Sequence, residues 1–285
     1  MSKPPRDPSS GRRNSGDETL ERAVTALQMN RPGEAERLAA GALRANGSNH
    51  VAAKVLGWAL LAQNRAGEAI EPVERAARRS NDPEIETVLA VALAATGRQQ
   101  EALDQLRQTT ARRPAFVPAF REYAGQLVKL DRLGEANEVI QSGIALAPDA
   151  IDLQIDLARL FLHQNDRRNA RMILSQALAV APGRQDILAA LARVLLLDGD
   201  YAAAADMFRH LLAMRPDDAM TRADLAACQL ESGTRDAGES TLRAAARGRP
   251  EMLGRAIHLL AATSHGRFFF RPSAAVKFLA KTGGS

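Results

Sequence analysis

Five histidines and one cysteine are the side chains of this chain that are best suited to metal binding or nucleophilic catalysis. They are His50, His163, His210, His258, His265 and Cys228. None of the histidines has metal-ligand spacing with another ligand type, and none forms a recognisable catalytic triad. The sequence also lacks a phosphate-binding glycine loop and a dinucleotide fingerprint. We therefore predict that the protein is not an enzyme and that it uses no metal and no cofactor.

The densest group of binding-type side chains lies near the C-terminus. Three consecutive phenylalanines, Phe268, Phe269 and Phe270, are bracketed by Arg267 and Arg271. Three of the eight phenylalanines of the chain therefore occupy one short stretch. Aromatic rings beside guanidinium groups suit either an apolar partner with acidic residues or the closure of a core.

Charge is unevenly distributed along the 285 residues, although the net charge is only +5. Residues 1–16 hold four basic residues and one acidic residue, and residues 243–281 hold eight basic residues and one acidic residue. The remaining sequence is therefore net negative. The Pro, Ser, Gly and Arg content of residues 1–16 predicts a disordered basic tail. This tail lacks the apolar region of a secretory signal, and no apolar run is long enough to span a bilayer. A cytoplasmic location is predicted.

A repeat of about 34 residues organises residues 17–250, and it positions every candidate binding residue in that range. Its twentieth position is small in all seven copies: Ala35, Ala69, Ala102, Ala136, Ala170, Ala204 and Gly238. The eighth position is also small throughout: Ala23, Gly57, Ala90, Ala124, Ala158, Ala192 and Ala226. Small residues at both positions let two helices approach closely. Each repeat is therefore predicted to be a tight helical hairpin.

The fifteenth position of the repeat predicts where the first helix ends. It holds Asn30, Asn64, Gly97, Asp131, Asn165, Gly199 and Gly233. These residue types tolerate the left-handed conformation that commonly ends a helix. Apolar residues at positions seven and twenty-four supply the core. Proline at position thirty-two ends the second helix in the later repeats.

These positions together resemble the tetratricopeptide repeat family over residues 17–250, with the best agreement at Leu56-Gly57, Ala69, Val73 and Ala76. The resemblance implies an all-α fold, a right-handed α-solenoid of about seven helix-turn-helix repeats, followed by C-terminal capping helices in residues 251–285. It also implies that positions 2, 5, 9 and 12 of each first helix line a concave groove. A protein or peptide partner would bind there.

The groove positions implied by the resemblance carry apolar residues and a few fixed cations. The candidate partner-binding residues are Lys54, Trp58, Val91, Arg121, Ile155, Arg159, Leu162 and Arg193. An apolar surface with cations suits an amphipathic helix or an extended peptide with acidic residues. Packing between neighbouring helices is the alternative for the aliphatic side chains.

Two interpretations of residues 267–271 remain open. A solenoid exposes core at its last repeat, and the phenylalanines together with a short helix from Pro272 would cover it. Alternatively, these residues form a second docking segment for a partner or a basic apolar anchor on an anionic surface. A phosphate-binding loop of the sulfotransferase kind is disfavoured because Ala274 and Ala275 follow Ser273.

The function predicted from these features is a non-catalytic interaction scaffold or adaptor. One alternative is a regulatory or substrate-recruiting subunit of a separate enzyme of the sulfotransferase type that acts on envelope polysaccharide. The Ala- and Arg-rich composition of the sequence indicates a bacterial source. Another alternative is an RNA-binding helical repeat protein, but the central repeats lack a continuous basic stripe. Nucleic acid is therefore not the predicted partner. The open ends of a solenoid also allow self-association.

Overall fold

The computed structural model describes residues 8–280, which form sixteen α-helices and no strand. The all-α class predicted from the sequence is confirmed. The chain divides after Leu153 into two compact units. We call residues up to Leu153 unit 1 and residues from Gln154 onward unit 2.

Unit 1 contains four helical hairpins. Their helices are α1 (Pro8–Gln28), α2 (Pro32–Ala45), α3 (His50–Ala62), α4 (Ala66–Ala77), α5 (Pro83–Ala95), α6 (Gln99–Thr110), α7 (Val117–Lys129) and α8 (Leu133–Leu146). Helix α9 (Ile151–His163) begins in unit 1 and continues into unit 2. The odd-numbered helices are the first helices of the repeats, called A helices below, and the even-numbered ones are the second, or B, helices.

Unit 2 continues the same alternation. Its further helices are α10 (Arg167–Val180), α11 (Gln185–Leu197), α12 (Tyr201–Met214), α13 (Ala219–Glu231), α14 (Arg235–Ala246), α15 (Pro250–Ala262) and α16 (Pro272–Ala280). Pro250 is the first residue of α15, where its fixed φ and missing N–H are tolerated. Pro250 therefore both follows the end of one B helix and begins the next A helix.

The first helix overlaps the predicted N-terminal tail. Helix α1 begins at Pro8, and the disorder of residues 1–16 stays a prediction. Extending an existing helix fixes only one further residue for each hydrogen bond, so the helix that packs from Leu20 onward can continue into a sequence of weak helix formers. Residues 1–7 lie outside the described residues.

The A helices of the seven repeats, α1 to α13, end in the left-handed conformation predicted for position fifteen. All seven residues there have positive φ: Asn30 56°, Asn64 59°, Gly97 82°, Asp131 58°, Asn165 58°, Gly199 79° and Gly233 80°. The N–H of the following residue then donates to the carbonyl five residues before it, as Arg65 does to Leu60 at 2.9 Å. This pattern satisfies carbonyls that the end of a helix leaves without intrahelical partners.

Close approach of the two helices explains the small residues at positions eight and twenty. Every one of these fourteen residues is buried. A methyl group on Gly57 would lie 2.6 Å from Val73 Cγ2 and 2.8 Å from Val88 Cγ1. The predicted core positions seven and twenty-four are buried as well, from Leu56 and Val73 in unit 1 to Leu225 and Leu242 in unit 2. The hairpin interpretation is therefore confirmed in both units.

Candidate functional site

The first predicted groove cation, Lys54, is already paired within the protein. Its Nζ donates to Glu84 Oε2 at 2.6 Å, which joins helix α3 to the first turn of α5. Only 20% of the Lys54 side chain is exposed. A negatively charged residue in the first turn of a helix is favourable in its own right, so Glu84 is well placed to hold this lysine.

Arg121 repeats that arrangement two repeats later in unit 1. Its Nη1 lies 3.9 Å from Asp152 Oδ2, at the beginning of α9. In both cases a cation at position five of one repeat meets a carboxylate at position two of the next. Trp58 and Val91 are half-buried, and Trp58 packs against the core cluster of α4 and α5. In unit 1, therefore, all four candidates are partly covered, and the two charged ones are paired with carboxylates.

Ile155, in unit 2, is the candidate that the structure contradicts. It is 2% exposed and belongs to the core, so it cannot contact a ligand. Position five of the repeat is therefore covered at Ile155, although it stays partly exposed at Lys54 and Arg121. Lys54 and Arg121 can reach the surface from this position, while an isoleucine is enclosed by its neighbours.

The other candidates of unit 2 are accessible. Arg159 is 58% exposed, and its Nη1 is 3.2 Å from Asp156 Oδ1 on the same helix. Arg159, half-buried Leu162 and exposed His163 line an open depression. We call Arg159, Leu162, His163, Arg193 and Leu197 the unit 2 face.

Arg193 stands at the position of Arg159 one repeat later and is exposed. It makes no hydrogen bond or ion pair with the residues that the structure describes. Leu197 follows it by four residues, which places both on one side of α11. Leu197 is 57% exposed. Each A helix of this face therefore presents an arginine with an apolar residue about one turn further along.

We call residues 267–271 the aromatic segment. Backbone contacts anchor the start of this segment, and the exposed rings lie after it. Arg267 N–H donates to Leu260 O at 2.6 Å. A Cβ on Gly266 would lie 2.0 Å from that same carbonyl oxygen, so only glycine allows this close approach. Arg235 Nη2 also donates to Gly266 O at 3.1 Å. These contacts hold the start of the segment against α14 and α15.

A buried carboxylate ties the aromatic segment to the last repeat. Glu239 is 4% exposed. It accepts hydrogen bonds from Arg267 at 3.0 Å, from Arg235 at 3.1 Å and from Arg243 at 3.3 Å. Arg243 and Arg267 also lie over the ring of Phe278, at 4.4 Å and 5.0 Å from its centroid. Helix α16 is thus fixed by cation–π contacts as well as by packing.

The three phenylalanines separate into two groups. Phe269 packs against Phe278, with ring centroids 5.3 Å apart, and against the core cluster of the last repeat. Phe268 and Phe270 are 69% and 96% exposed and meet edge to face with centroids 5.6 Å apart. Side chains of an extended chain alternate in direction, which explains the division. The capping interpretation fits Phe269, and docking stays a prediction for Phe268, Phe270 and Arg271.

The reactive side chains of the described residues do not cluster as metal ligands. Within residues 8–280, no group of three or more His, Cys, Asp or Glu side chains could hold a metal ion. Burial raises the pKa of the Cys228 thiol to about 12, so this side chain is protonated at neutral pH. None of the described helices has the length and apolar content needed to cross a bilayer.

Sequence reasoning missed the acidic partners and one apolar residue of these faces. Glu84 and Asp152 stand 30 and 31 residues after the cations that they pair with, so a search for opposite charges about one repeat apart would have found them. Leu197 could have been found from its four-residue spacing to Arg193. Arg121 and Arg193 differ in repeat position, five against nine, but the sequence alone did not show that this difference separates a paired cation from an unpaired one.

The repeat pattern and the helical hairpins agree with comparisons to known families. Two family profiles, both described as tetratricopeptide repeat, match the chain, one at residues 195–262 and the other at residues 20–84 and 155–219. The chain belongs to the tetratricopeptide repeat family. The comparison with curated proteins gives no significant match.

Solved structures similar to this chain are tetratricopeptide repeat and other helical proteins of low identity. A thermophilic tetratricopeptide repeat protein of Thermus thermophilus is 22% identical, with a TM-score of 0.55 over 64% of this chain and 99% of that protein. Pseudomonas aeruginosa pilF is 17% identical, with a TM-score of 0.55 over 72% and 94% of the two chains. The human IFIT1 dimer with m7Gppp-AAAA is 15% identical, with a TM-score of 0.63 over 86% and 63%. These likenesses support the predicted α-solenoid fold class.

Proposed function

We propose that this protein is a non-catalytic adaptor that binds a segment of a protein partner on the unit 2 face. The segment carries acidic residues spaced to meet Arg159 and Arg193, and apolar residues that cover Leu162 and Leu197. An amphipathic acidic helix has both features. We place this activity in the cytoplasm.

The observation that supports this proposal is the difference in charge compensation among the candidate cations. Lys54 and Arg121 are paired with carboxylates of the next repeat, so a ligand would have to displace these partners. Arg193 is exposed and has no ion pair among the described residues. Among the described residues, Arg159 pairs with Asp156 of its own helix, and 58% of its side chain is exposed. A carboxylate of a partner can therefore pair with these arginines at little cost.

Family membership supports the general class, since tetratricopeptide repeats are protein-interaction modules. Arginine is among the residue types that most often carry binding energy at interfaces. A bidentate guanidinium–carboxylate contact adds directional preference. An apolar residue one turn along the helix supplies the area that such a contact alone would lack.

The experiment is affinity capture from native-host lysate treated with nuclease, using the wild type and the double variant Arg159→Glu/Arg193→Glu. A partner that the wild type captures and the variant loses is then purified and measured against both by calorimetry. We expect at least a hundredfold loss of affinity, because each arginine contact is replaced by repulsion. Charge reversal of an acidic residue in the partner should restore part of the affinity of the variant.

A matched control distinguishes this face from general charge effects. Arg44→Glu/Arg168→Glu changes the net charge equally at two exposed arginines of B helices. This control should bind the partner as the wild type does. Equal loss in both double variants, or unchanged capture by Arg159→Glu/Arg193→Glu, would contradict the proposed site.

The identity of the captured partner also separates the alternative functions. An enzyme of envelope polysaccharide metabolism would make this protein its regulatory or recruiting subunit. Capture that depends on RNA would be abolished by nuclease and would fall steeply with salt. Capture of a second copy of this chain would indicate self-association.

A further inference from the structure

We propose that the aromatic segment is an interfacial anchor that inserts Phe268 and Phe270 into the surface of an anionic phospholipid bilayer. This proposal concerns a different surface from the unit 2 face and does not rest on the proposed function. It assigns a ligand to the two phenylalanines that the core of the last repeat does not use.

The shape of the segment favours a bilayer over a folded ligand. Phe270 is 96% exposed and Phe268 is 69% exposed, so both rings project outward. Neither ring lines the cavities at Leu43, at Gln185 and at Arg159. A bilayer interface accepts protruding aromatic rings without a complementary pocket, and two neighbouring rings are buried together.

The backbone under these rings is fixed, so insertion does not require the segment to fold. Phe269 is held inward by Phe278, and Arg267 is held by Glu239 and by its N–H contact with Leu260. The edge-to-face contact between Phe268 and Phe270 orients the two rings together. A preorganised anchor loses little conformational entropy when it binds.

The charges around the segment match an anionic surface. Arg271 and Lys277 are exposed and make no ion pair with the residues that the structure describes. Lys277 lies on the side of α16 opposite to buried Ala275 and Leu279, so it points toward solvent. The sequence between positions 243 and 281 contains eight basic residues and one acidic residue. Clustered cations beside apolar residues are the usual requirement for reversible binding to anionic lipid.

The test is co-sedimentation of the full-length protein with vesicles of phosphatidylglycerol and phosphatidylcholine, compared with vesicles of phosphatidylcholine alone. We expect binding to the anionic vesicles only. Phe268→Ala/Phe270→Ala should lower the partition coefficient about a hundredfold, because each buried ring contributes about tenfold. Met172→Ala/Val180→Ala is the matched control, since both residues are exposed apolar side chains of α10, and it should bind as the wild type does.

The contribution of charge is tested with Arg271→Ala/Lys277→Ala, for which we expect about thirtyfold weaker binding at low salt. Arg44→Ala/Arg168→Ala removes the same charge elsewhere and should change binding less than twofold. All four positions of the two lipid-directed variants are exposed, so circular dichroism should show an unchanged fold. The Arg159→Glu/Arg193→Glu variant should keep most of its vesicle binding, which separates this proposal from the proposed function.

Insertion itself can be followed with Phe270→Trp in a Trp58→Phe background, where the new indole is the sole tryptophan. Its emission should shift to shorter wavelength with anionic vesicles and be quenched by brominated lipid. Inorganic phosphate alone should produce neither change. Absence of wild-type sedimentation, equal binding to neutral vesicles, or full binding by Phe268→Ala/Phe270→Ala would overturn the proposal.

Discussion

Units 1 and 2 carry their candidate cations at different positions of the repeat, five in unit 1 and nine in unit 2, and they leave them in different electrostatic states. In unit 1, Lys54 and Arg121 meet Glu84 and Asp152 of the next repeat. In unit 2, Arg193 is exposed and unpaired among the described residues, and buried Ile155 occupies a position that holds a cation elsewhere. The difference teaches that residue type at a repeat position does not predict availability. The charged residues that the side chain meets in the fold decide it.

The beginnings of the B helices differ between the units in a parallel way. The first four repeats place an arginine before helix B, and it pairs with a glutamate three residues later: Arg31–Glu34, Arg65–Glu68, Arg98–Glu101 and Arg132–Glu135. The fifth and sixth repeats place Asp166 and Asp200 there, and each accepts a hydrogen bond from a backbone N–H of the first turn. Unit 1 therefore uses ion pairs where the fifth and sixth repeats use helix caps.

The largest effect is expected at the buried carboxylates, which are the strongest ionic contacts in each unit. Glu86 accepts hydrogen bonds from Arg112 at 2.5 Å and 2.8 Å, and Glu239 is surrounded by three arginines. Replacing either glutamate by Ala leaves buried donors without a partner. We expect Glu86→Ala and Glu239→Ala each to lower the free energy of unfolding by about 3 kcal/mol, as measured by urea denaturation.

Glu71→Ala is the control for these two variants. Glu71 pairs with Arg75 on the same helix, but its side chain is 81% exposed. The change in unfolding free energy should stay below about 0.5 kcal/mol. If Glu239→Ala were as mild as the control, the aromatic segment would not depend on this carboxylate.

The second effect tests what the two units share, the close contact within each hairpin. A Cβ on Gly57 would lie 2.6 Å from Val73, and a Cβ on Gly238 would lie 2.6 Å from Leu230. Gly57→Leu and Gly238→Leu should each destabilise their unit by about 2–3 kcal/mol, since a packed core must move to accept the side chain. Gly134→Leu places the same side chain where nothing lies within 4 Å and should leave the urea midpoint unchanged or higher. Equal midpoints for all three variants would refute the packing argument.

A smaller effect should separate the paired cations from the unpaired one. Lys54→Glu places a second carboxylate beside that of Glu84, and we expect a loss of about 1 kcal/mol in unfolding free energy. Arg193→Glu removes no ion pair among the described residues, so its stability should stay within about 0.5 kcal/mol of the wild type. Thermal and urea unfolding of both variants measure this difference. A destabilised Arg193→Glu would mean that Arg193 is structural and that the unit 2 face is wrongly placed.

The sequence predicted the hairpins well because their determinants are local or strictly periodic. Position fifteen requires a residue that tolerates positive φ, and positions eight and twenty require small side chains. Both requirements recur in every repeat. Packing of this kind depends on residue size and backbone conformation. Both can be read from residue type at a known position.

The sequence predicted the candidate site less well because accessibility depends on several repeats at once. Whether Arg121 is available depends on Asp152, and whether Ile155 is exposed depends on its neighbours in the fold. For the aromatic segment, the sequence left capping and docking as exclusive choices. Alternation along an extended chain assigns Phe269 to the core and exposes Phe268 and Phe270.

The smallest effect concerns the pH dependence of the arginine–glutamate pairs at the B helices of unit 1. Hydrogen bonds from Arg65, Arg98 and Arg132 lower the pKa values of Glu68, Glu101 and Glu135. A carboxylate whose pKa is lowered by folding stabilises the protein above its unfolded pKa, about 4.3, and that stabilisation is lost as the pH falls through the folded pKa. All three pairs are exposed, so the contribution should be small and should weaken further in salt.

The triple variant Glu68→Gln/Glu101→Gln/Glu135→Gln should therefore lose less stability than the wild type when the pH falls from about 5.5 to about 3, because its pairs no longer titrate. The measurement compares urea midpoints at the two pH values, at low and high ionic strength. Glu21→Gln/Glu138→Gln/Glu251→Gln changes the same number of exposed glutamates that form no ion pair among the described residues, so it should keep the acid sensitivity of the wild type. An identical acid response in both triple variants would show that the arginine–glutamate pairs of unit 1 contribute nothing to the pH dependence of stability. The ion pairs and the helix caps would then differ in sequence but not in their contribution to stability.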